Sequence, residues 1–278
     1  MAHHTPTHLV QMTHPDEGRR AALVHGNELH LLATYRSVYH FAAVAIETGW
    51  KLRDLLSTDL SGIVLDYDQV YALETEWRFL PAFDHASEPG RCLVTGWSGD
   101  PPVWRYQGSG DSLCGHGQPL TVVGLPSAIH LPEVAAAYVI GEGGIPRRVG
   151  VAAGIRGPSR CALGPELILE ADFPYLAGVA RLIRAGCQTW SREVSAKDSP
   201  LTIALASAEA DHFKSADHRR VGDAHVHFFG AKLFRQSDDP LAGDGDETEI
   251  EWTGFGRKLR NRILAEQPAP LAVAALPL

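Results

Sequence analysis

Residues 222–230 read Gly-Asp-Ala-His-Val-His-Phe-Phe-Gly, and this stretch decides how the fold is interpreted. The Gly222-Asp223 pair is typical of a turn, the next six residues favour a strand, and Gly230 closes the run. Because side chains alternate along a strand, His225 and His227 are expected on one face. Two interpretations stay open: a buried strand whose imidazoles bind backbone carbonyls, and an acid/base or ligand pair beside an active site.

The composition is that of a globular protein: 278 residues, of which 45% are hydrophobic and 21% are charged. A net charge of -8 argues against a nucleic-acid-binding protein. No apolar run reaches the roughly 18 residues of a membrane-spanning helix, and the N-terminus lacks the pattern of a secretory signal. Four scattered cysteines without a CxxC pair indicate reduced thiols. We therefore expect a cytoplasmic protein without a membrane or nucleic-acid partner.

The N-terminal part combines strand and helix patterns. Short β-branched and aliphatic runs predict a meander of three strands at residues 9–12, 21–25 and 29–32. Ser37 is the predicted N-cap of a helix over residues 38–48, which ends at Gly49. A turn-rich linker then closes a predicted N-terminal α+β domain over residues 1–85.

Strand patterns dominate the rest of the chain. The Gly/Pro-dense residues 96–117 show no periodicity and predict a loop. The apolar run 134–140, a hairpin turn and a returning strand follow, and residues 202–213 form the one clear helix. The pattern predicts an α+β fold in which a small N-terminal α/β domain precedes a mixed β-roll over residues 86–264. The Ala/Pro/Leu-rich residues 265–278 are expected to be a loose tail.

Several segments, in this order, resemble the fumarylacetoacetate hydrolase superfamily: residues 161–167, 211–214, 219–230 and 254–261. They are most similar to its 2-keto-3-deoxy-L-arabonate dehydratase-like branch. The resemblance implies a small N-terminal α+β domain, a C-terminal mixed β-roll that holds the active site, and a homodimer. It also implies a Mg²⁺ ion, held by carboxylates, that binds a 2-keto acid or diketo substrate. The reactions of such proteins, among them dehydration, decarboxylation and tautomerisation, pass through an enolate-like species that a divalent cation stabilises.

The chain departs from the superfamily at the residues of its metal site. The superfamily places two carboxylates two positions apart at the start of the strand over residues 134–140, whereas this chain has Leu131 and Glu133. The third carboxylate is absent, and the shortened loop after that position carries Arg156 and Arg160. Because Mg²⁺ needs several oxygen ligands, we predict that the chain has no metal cofactor and that Mg²⁺ is disfavoured. One alternative is that another acid completes the ligand set: Asp100, Asp111 or Asp198.

The remaining polar residues define a candidate site. Guanidinium groups bind carboxylates and enolates, and Tyr106 precedes a Gly/Ser turn where the superfamily has an aromatic-lysine pair. The predicted substrate-binding residues are Arg156, Arg160, Tyr106 and Ser109. The predicted catalytic acid/base residues are Glu133, His212, His225 and His227. The arginines are equally explained by a solvated loop, and Glu133 by an ion pair with Arg148 or Arg156.

Three functions stay open at this point. The first is a divergent enzyme that acts without metal on a carbonyl- or carboxylate-containing small molecule, by lyase, dehydratase, cyclase or isomerase chemistry in specialised metabolism. The second is a catalytically inactive dimeric scaffold or ligand-binding protein, and the third is a Mg²⁺-dependent 2-keto-3-deoxy sugar acid dehydratase. A polar pocket that holds Glu133, an arginine and a histidine would favour the first. A pocket filled by Trp97, Trp104 or Leu131 would favour the second.

Overall fold

The computed structural model describes residues 6–98, 103–123, 127–128, 132–169, 176–195, 201–229 and 240–266. The N-terminal strands are β1 (Thr7–His14), β2 (Gly18–His25), β3 (Glu28–Leu32), β4 (Leu60–Asp66) and β5 (Arg78–Phe79). Three helices accompany them: α1 (Val38–Thr48), α2 (Leu52–Thr58) and α3 (Tyr67–Tyr71). No helix among the described residues is long and apolar enough to cross a membrane.

In the described residues of the second part of the chain, strands predominate and one α-helix is present. Its first strands are β6 (Cys92–Ser98), β7 (Val103–Ser109), β8 (Leu113–Cys114), β9 (Leu120–Val123), β10 (Ser127–Ala128), β11 (Pro132–Gly141) and β12 (Ile145–Arg156). They are followed by β13 (Cys161–Leu163), β14 (Glu166–Leu169), β15 (Ala177–Arg184), β16 (Cys187–Ser195), α4 (Leu201–Phe213), β17 (Ala224–Phe229), β18 (Leu241–Ala242), β19 (Glu247–Trp252) and β20 (Leu259–Glu266).

The main sheet has 13 strands, and its path runs β4-β3-β2-β1-β14-β12-β11-β17-β6-β7. β1 pairs antiparallel with β14, so the sheet runs without a break across the boundary that the sequence predicts at residue 85. β17 pairs antiparallel with β11 on one side and parallel with β6 on the other. A second, five-stranded sheet has the order β16-β15-β19-β20-β9. The mixed β-rich fold with few helices agrees with the predicted α+β class.

Local sequence signals place α1 correctly. The Ser37 side chain accepts a hydrogen bond from the His40 amide, and Gly49 adopts the left-handed conformation at φ 71°. Both caps satisfy polar groups that the helix ends leave without intrahelical partners. The helix buries Phe41 and its neighbours against the main sheet.

The predicted loop over residues 96–117 is wrong. β7 occupies Val103–Ser109 and forms the edge of the main sheet next to β6, where Trp97 lies opposite Trp104. Cross-strand aromatic pairs of this kind stabilise a sheet edge. The strand signal was missed because the flanking Gly and Pro residues, which are typical of turns, outnumber the strand-favouring residues in this segment.

Two hydrophobic cores lie on the two faces of β17. Ala224, Val226 and Phe228 belong to the first core, which lies on the α1 side of the sheet. Phe229 belongs to the second core, which includes residues of β11, α4 and β19. The alternation that the sequence predicts for β17 is therefore confirmed, and it turns the two strand histidines toward the second core.

Candidate active site

Three histidines from two elements converge on the second-core face of β17. His225 and His227 point there because they alternate with the first-core residues of β17. α4 packs over this face and adds His212 near its C-terminal end. The exposed fractions of the three residues are 0%, 0% and 2%, so the group is almost completely buried. We call His212, His225 and His227 the histidine cluster.

The contacts within the histidine cluster are close. His212 Nε2 lies 3.3 Å from His225 Nδ1, and the rings of His212 and His227 are 4.2 Å apart between centroids. The Trp104 indole covers the cluster at 4.6 Å from the His227 ring and 4.8 Å from the His212 ring. Its Nε1 donates to the carbonyl of Ala208 on α4, which fixes the indole over the imidazoles.

Burial keeps the histidine cluster neutral. It lowers the pKa of His212 to about 3 and the pKa of His225 to about 4, with a further contribution from the neighbouring imidazoles. The pKa of His227 lies well below its usual value for the same reasons. Neutral imidazoles at pH 7 can bind a metal ion, but the low pKa makes each of them a weak general base and leaves almost no protonated form to act as a general acid.

Glu133, at the start of β11, forms a buried ion pair. Its Oε1 accepts a 2.8 Å hydrogen bond from Arg156 Nε, and its side chain is 3% exposed. Its Oε2 is buried without a protein partner among the described residues. Burial raises the pKa of Glu133 to about 7, although the Arg156 charge opposes this shift. The ion pair that the sequence offers as one explanation of Glu133 is therefore present.

Glu133 and the histidine cluster lie on opposite faces of the main sheet. Ala136 lies opposite His227 in the antiparallel pair of β11 and β17, so these two side chains share a face. Glu133 precedes Ala136 by an odd number of positions, and the irregularity in β11 comes later, after Ala137. Glu133 thus points toward the first-core face. The structure brings Glu133 together with Arg156 but not with the histidines.

The other predicted substrate-binding residues are dispersed. Tyr106 is 69% exposed on β7 and lies opposite Thr95, which in turn lies opposite His227, so Tyr106 shares the histidine face. The carbonyl of Ser109 accepts from the Ser112 hydroxyl in the turn after β7. Arg160 donates from Nη2 to the carbonyl of Leu113 on β8. Of the candidate metal-ligand positions, Leu131, Asp100 and Asp198 lie outside the described residues.

Sequence reasoning missed a buried carboxylate that ties distant segments together. Glu166 accepts hydrogen bonds from the Tyr67 hydroxyl at 2.7 Å and the Arg257 amide at 2.8 Å, and its Oε2 lies 2.6 Å from His8 Nδ1. Its side chain is buried, and no room remains beside Gly256 for a further atom. The available signal is an acidic residue at the start of the apolar run 166–169. Because its oxygens are engaged, Glu166 is a structural anchor.

Among the described residues, two groups of three potential metal ligands lie close enough to share an ion. One is the histidine cluster, whose ligand atoms lie within 4.8 Å of one another. The other is His25, Glu28 and His30 on the β2–β3 hairpin, where His25 and Glu28 are exposed. Glu133 belongs to neither group, so the carboxylate set of a Mg²⁺ site is not assembled around it in the described part of the chain.

Comparison with known proteins gives structural neighbours only. Neither a protein-family model nor a curated protein matches the chain. A 2-keto-3-deoxyarabinonate dehydratase superposes with a TM-score of 0.67 at 14% identity, over 94% of this chain and 100% of that chain. A 2-hydroxyhepta-2,4-diene-1,7-dioate isomerase from Mycobacterium marinum superposes with a TM-score of 0.56 at 15% identity, over 94% and 99%. At these identities the likeness shows the fold alone, and a shared fold with a dehydratase and an isomerase agrees with the fold that the sequence resemblance implies.

Proposed function

We propose that this chain is a fumarylacetoacetate hydrolase-like enzyme of the lyase or isomerase kind. Its substrate is a small molecule with a carbonyl or carboxylate group, and the reaction proceeds without Mg²⁺ at Glu133. The fold supports the proposal, since its structural neighbours are dehydratases and isomerases. One of those neighbours is a 2-keto-3-deoxy-D-arabinonate dehydratase complexed with magnesium and 2,5-dioxopentanoate.

The state of Glu133 is the observation that carries the proposal. A carboxyl group with a pKa of about 7 is half ionised at neutral pH, which suits a general acid or base. Its Oε2 has no protein partner in the described part of the chain and is the atom that exchanges a proton. Arg156 donates a hydrogen bond to the other oxygen, Oε1, and this contact fixes the orientation of the carboxylate.

The residues around Glu133 do not fit a Mg²⁺ ion. A hard dication is held by several oxygen ligands, whereas Glu133 belongs to no group of three potential metal ligands among the described residues and its carboxylate contacts the guanidinium of Arg156. A dication at that oxygen would be repelled by a group that keeps its charge at any accessible pH. In this proposal Arg156 supplies the positive charge at this position.

The proposed chemistry is proton transfer next to a carbonyl. Glu133 removes a proton from the carbon α to the carbonyl, and the electron pair of that C–H bond moves to form an enolate. Arg156 stabilises the negative charge of the enolate oxygen. In an isomerase the proton returns to a different carbon, and in a dehydratase it leaves with the departing hydroxyl group as water.

Hydrogen exchange tests this function without knowledge of the natural product. A panel of 2-keto-3-deoxy sugar acids and other 2-keto acids is incubated in D₂O with EDTA, and loss of the α-proton signal is followed by NMR. We expect exchange that persists in EDTA and falls at least about 100-fold in E133Q. The matched control is E142Q, because Glu142 is exposed in the turn at the other end of β11. Exchange that requires added Mg²⁺, or that survives in E133Q, would contradict the proposal.

One observation favours the non-catalytic alternative. Trp104 fills the space over the histidine cluster and contacts Trp97 at 4.9 Å between ring centroids. A pocket filled by these side chains is what the sequence expects of a scaffold or ligand-binding protein without turnover. If no substrate of the panel exchanges its α-proton with the wild-type protein, this alternative replaces the enzyme.

A further inference from the structure

The histidine cluster contains more nitrogen atoms than the protein satisfies. Within the described residues, both ring nitrogens of His227 are buried without a hydrogen-bond partner, and so are His225 Nε2 and His212 Nδ1. The Thr95 hydroxyl, directly opposite His227 on β6, is also buried and has no partner in the part of the chain that the structure describes. Buried polar atoms without partners are rare and cost free energy. Several such atoms close together therefore indicate a binding site for a ligand or an ion.

The spacing of the nitrogens fits a metal ion. Two ligands held about 2.0–2.1 Å from one tetrahedral ion lie about 3.3 Å apart. His212 Nε2 and His225 Nδ1 are 3.3 Å apart. The third ligand atom, on His227, lies within 4.8 Å of both, so side-chain rotation must bring it closer by at most about 1.5 Å.

The kind of ligand selects the kind of metal. Imidazole nitrogen suits Zn²⁺, Ni²⁺, Cu²⁺ and Fe²⁺, whereas Mg²⁺ prefers carboxylate, carbonyl and water oxygens. Three histidines with a fourth position left open are a common ligand set of Zn²⁺. The elements that carry the three histidines also favour a metal site. Two of the ligands lie two positions apart on a buried strand, and the third comes from the helix packed over that strand.

We propose that His212, His225 and His227 bind one transition-metal ion of the Zn²⁺ class, with Thr95 beside the open fourth position. The site is separate from Glu133, which lies on the opposite face of the sheet, and it does not depend on the chemistry proposed there. It also differs in donor type from a carboxylate Mg²⁺ site, because its ligands are nitrogen atoms. Trp104 lies against the rings of His212 and His227 and would shield an ion bound by them from solvent.

Cobalt titration tests the site without an activity assay. The starting protein carries H3N, H4N, H25N and H30N, which remove the adjacent histidines at positions 3 and 4 and both histidines of the hairpin group. We expect one equivalent of Co²⁺ to give the visible absorption bands of tetrahedral coordination, and Zn²⁺ but not excess Mg²⁺ to abolish them. H225N and H227Q should each weaken Co²⁺ binding at least about 100-fold, because each removes a direct ligand.

The matched control is H116N in the same background. His116 is also a buried histidine, but both of its ring nitrogens already have partners in Tyr71 and Arg260. Co²⁺ binding should be unchanged in H116N. Absence of the tetrahedral bands in the starting protein, or binding that persists unchanged in H227Q, would overturn the proposal.

A second measurement avoids substitutions in the cluster. X-ray absorption of the Zn²⁺-loaded starting protein counts the imidazole ligands directly, so misfolding of a histidine variant cannot obscure the result. Three imidazoles are expected. A spectrum with one imidazole or none would overturn the proposal, whatever activity the protein has toward 2-keto acids.

Discussion

The guanidinium group of Arg156 lies against the backbone of Gly96, in the space that a side chain at residue 96 would occupy. Gly96 is opposite Phe228 on the first-core face, and Arg156 reaches that position from the end of β12. Any larger residue at position 96 would overlap with the guanidinium. Because residue 96 is a glycine, the Arg156 side chain has the space it needs to contact Glu133.

The substitution G96A should disrupt the ion pair between Glu133 and Arg156. Its Cβ overlaps with the guanidinium, and overpacking of a buried site typically costs about 2 kcal/mol. We expect the free energy of unfolding to fall by about this amount in urea denaturation. The matched control is G90A, because a Cβ on Gly90 meets nothing within 4 Å. Equal stabilities of G96A and G90A would contradict the role of Gly96.

Glu133 should make the free energy of unfolding depend on pH, in the range between its pKa in the unfolded chain and its pKa in the folded protein. Its pKa is about 7 in the folded protein and 4.5 in the unfolded chain, so the folded state binds the proton more tightly. The contribution of this group is therefore complete below pH 4.5 and is lost as the pH rises through about 7. The whole pKa difference corresponds to about 3 kcal/mol of the free energy of unfolding.

Urea denaturation of the wild-type protein and of E133Q across this range measures that contribution. The glutamine carries no titratable proton, so the stability difference between wild type and E133Q should change with pH, with wild type losing relative stability as the pH rises. Stability curves that run parallel across the range would show that Glu133 has the same pKa in both states.

The anchor at Glu166 predicts different outcomes for two glycines of one loop. Gly254 and Gly256 both have positive φ, at 82° and 78°. A Cβ on Gly254 meets nothing within 4 Å, whereas a Cβ on Gly256 overlaps with the Glu166 carboxylate. G254A should cost about 1 kcal/mol from backbone strain alone. G256A should cost at least about 2 kcal/mol more, because it also displaces Glu166 from His8 and Tyr67. Thermal and urea denaturation of both variants check this, and equal losses would refute the anchor.

Protonation of His116 should destabilise the folded protein at acidic pH. Its Nδ1 accepts from the Arg260 amide and its Nε2 lies 3.4 Å from the Tyr71 carbonyl, an arrangement that needs the neutral ring. Burial lowers the pKa of His116 from 6.5 to about 4. Its contribution to the free energy of unfolding is therefore present above pH 6.5 and is lost as the pH falls through about 4. The whole pKa difference corresponds to a loss of about 3 kcal/mol. H116N should be less stable than wild type at pH 7 and should lose less stability on acidification, as urea denaturation at each pH will show.

Local patterns predicted most of the elements that frame the candidate site. The Ser37 cap and the Gly49 stop of α1, the hairpin between β11 and β12, and α4 all follow from signals within a few residues. β4 and β7 were not predicted. β4 consists largely of exposed residues, and β7 lies among turn-forming residues, so their strand state depends on pairing with β3 and β6.

By itself, the sequence determined that His225 and His227 share a face, because a strand alternates its side chains with a period of two. The sequence also shows Leu131 and Glu133 where the superfamily it resembles has two carboxylates, and the prediction that Mg²⁺ is disfavoured rests on that comparison. Only the tertiary structure decided that His212 joins these two histidines and that Glu133 lies on the other face with Arg156. The reason is physical: alternation is a property of one strand, whereas the meeting of residues from different elements depends on strand order, register and helix packing.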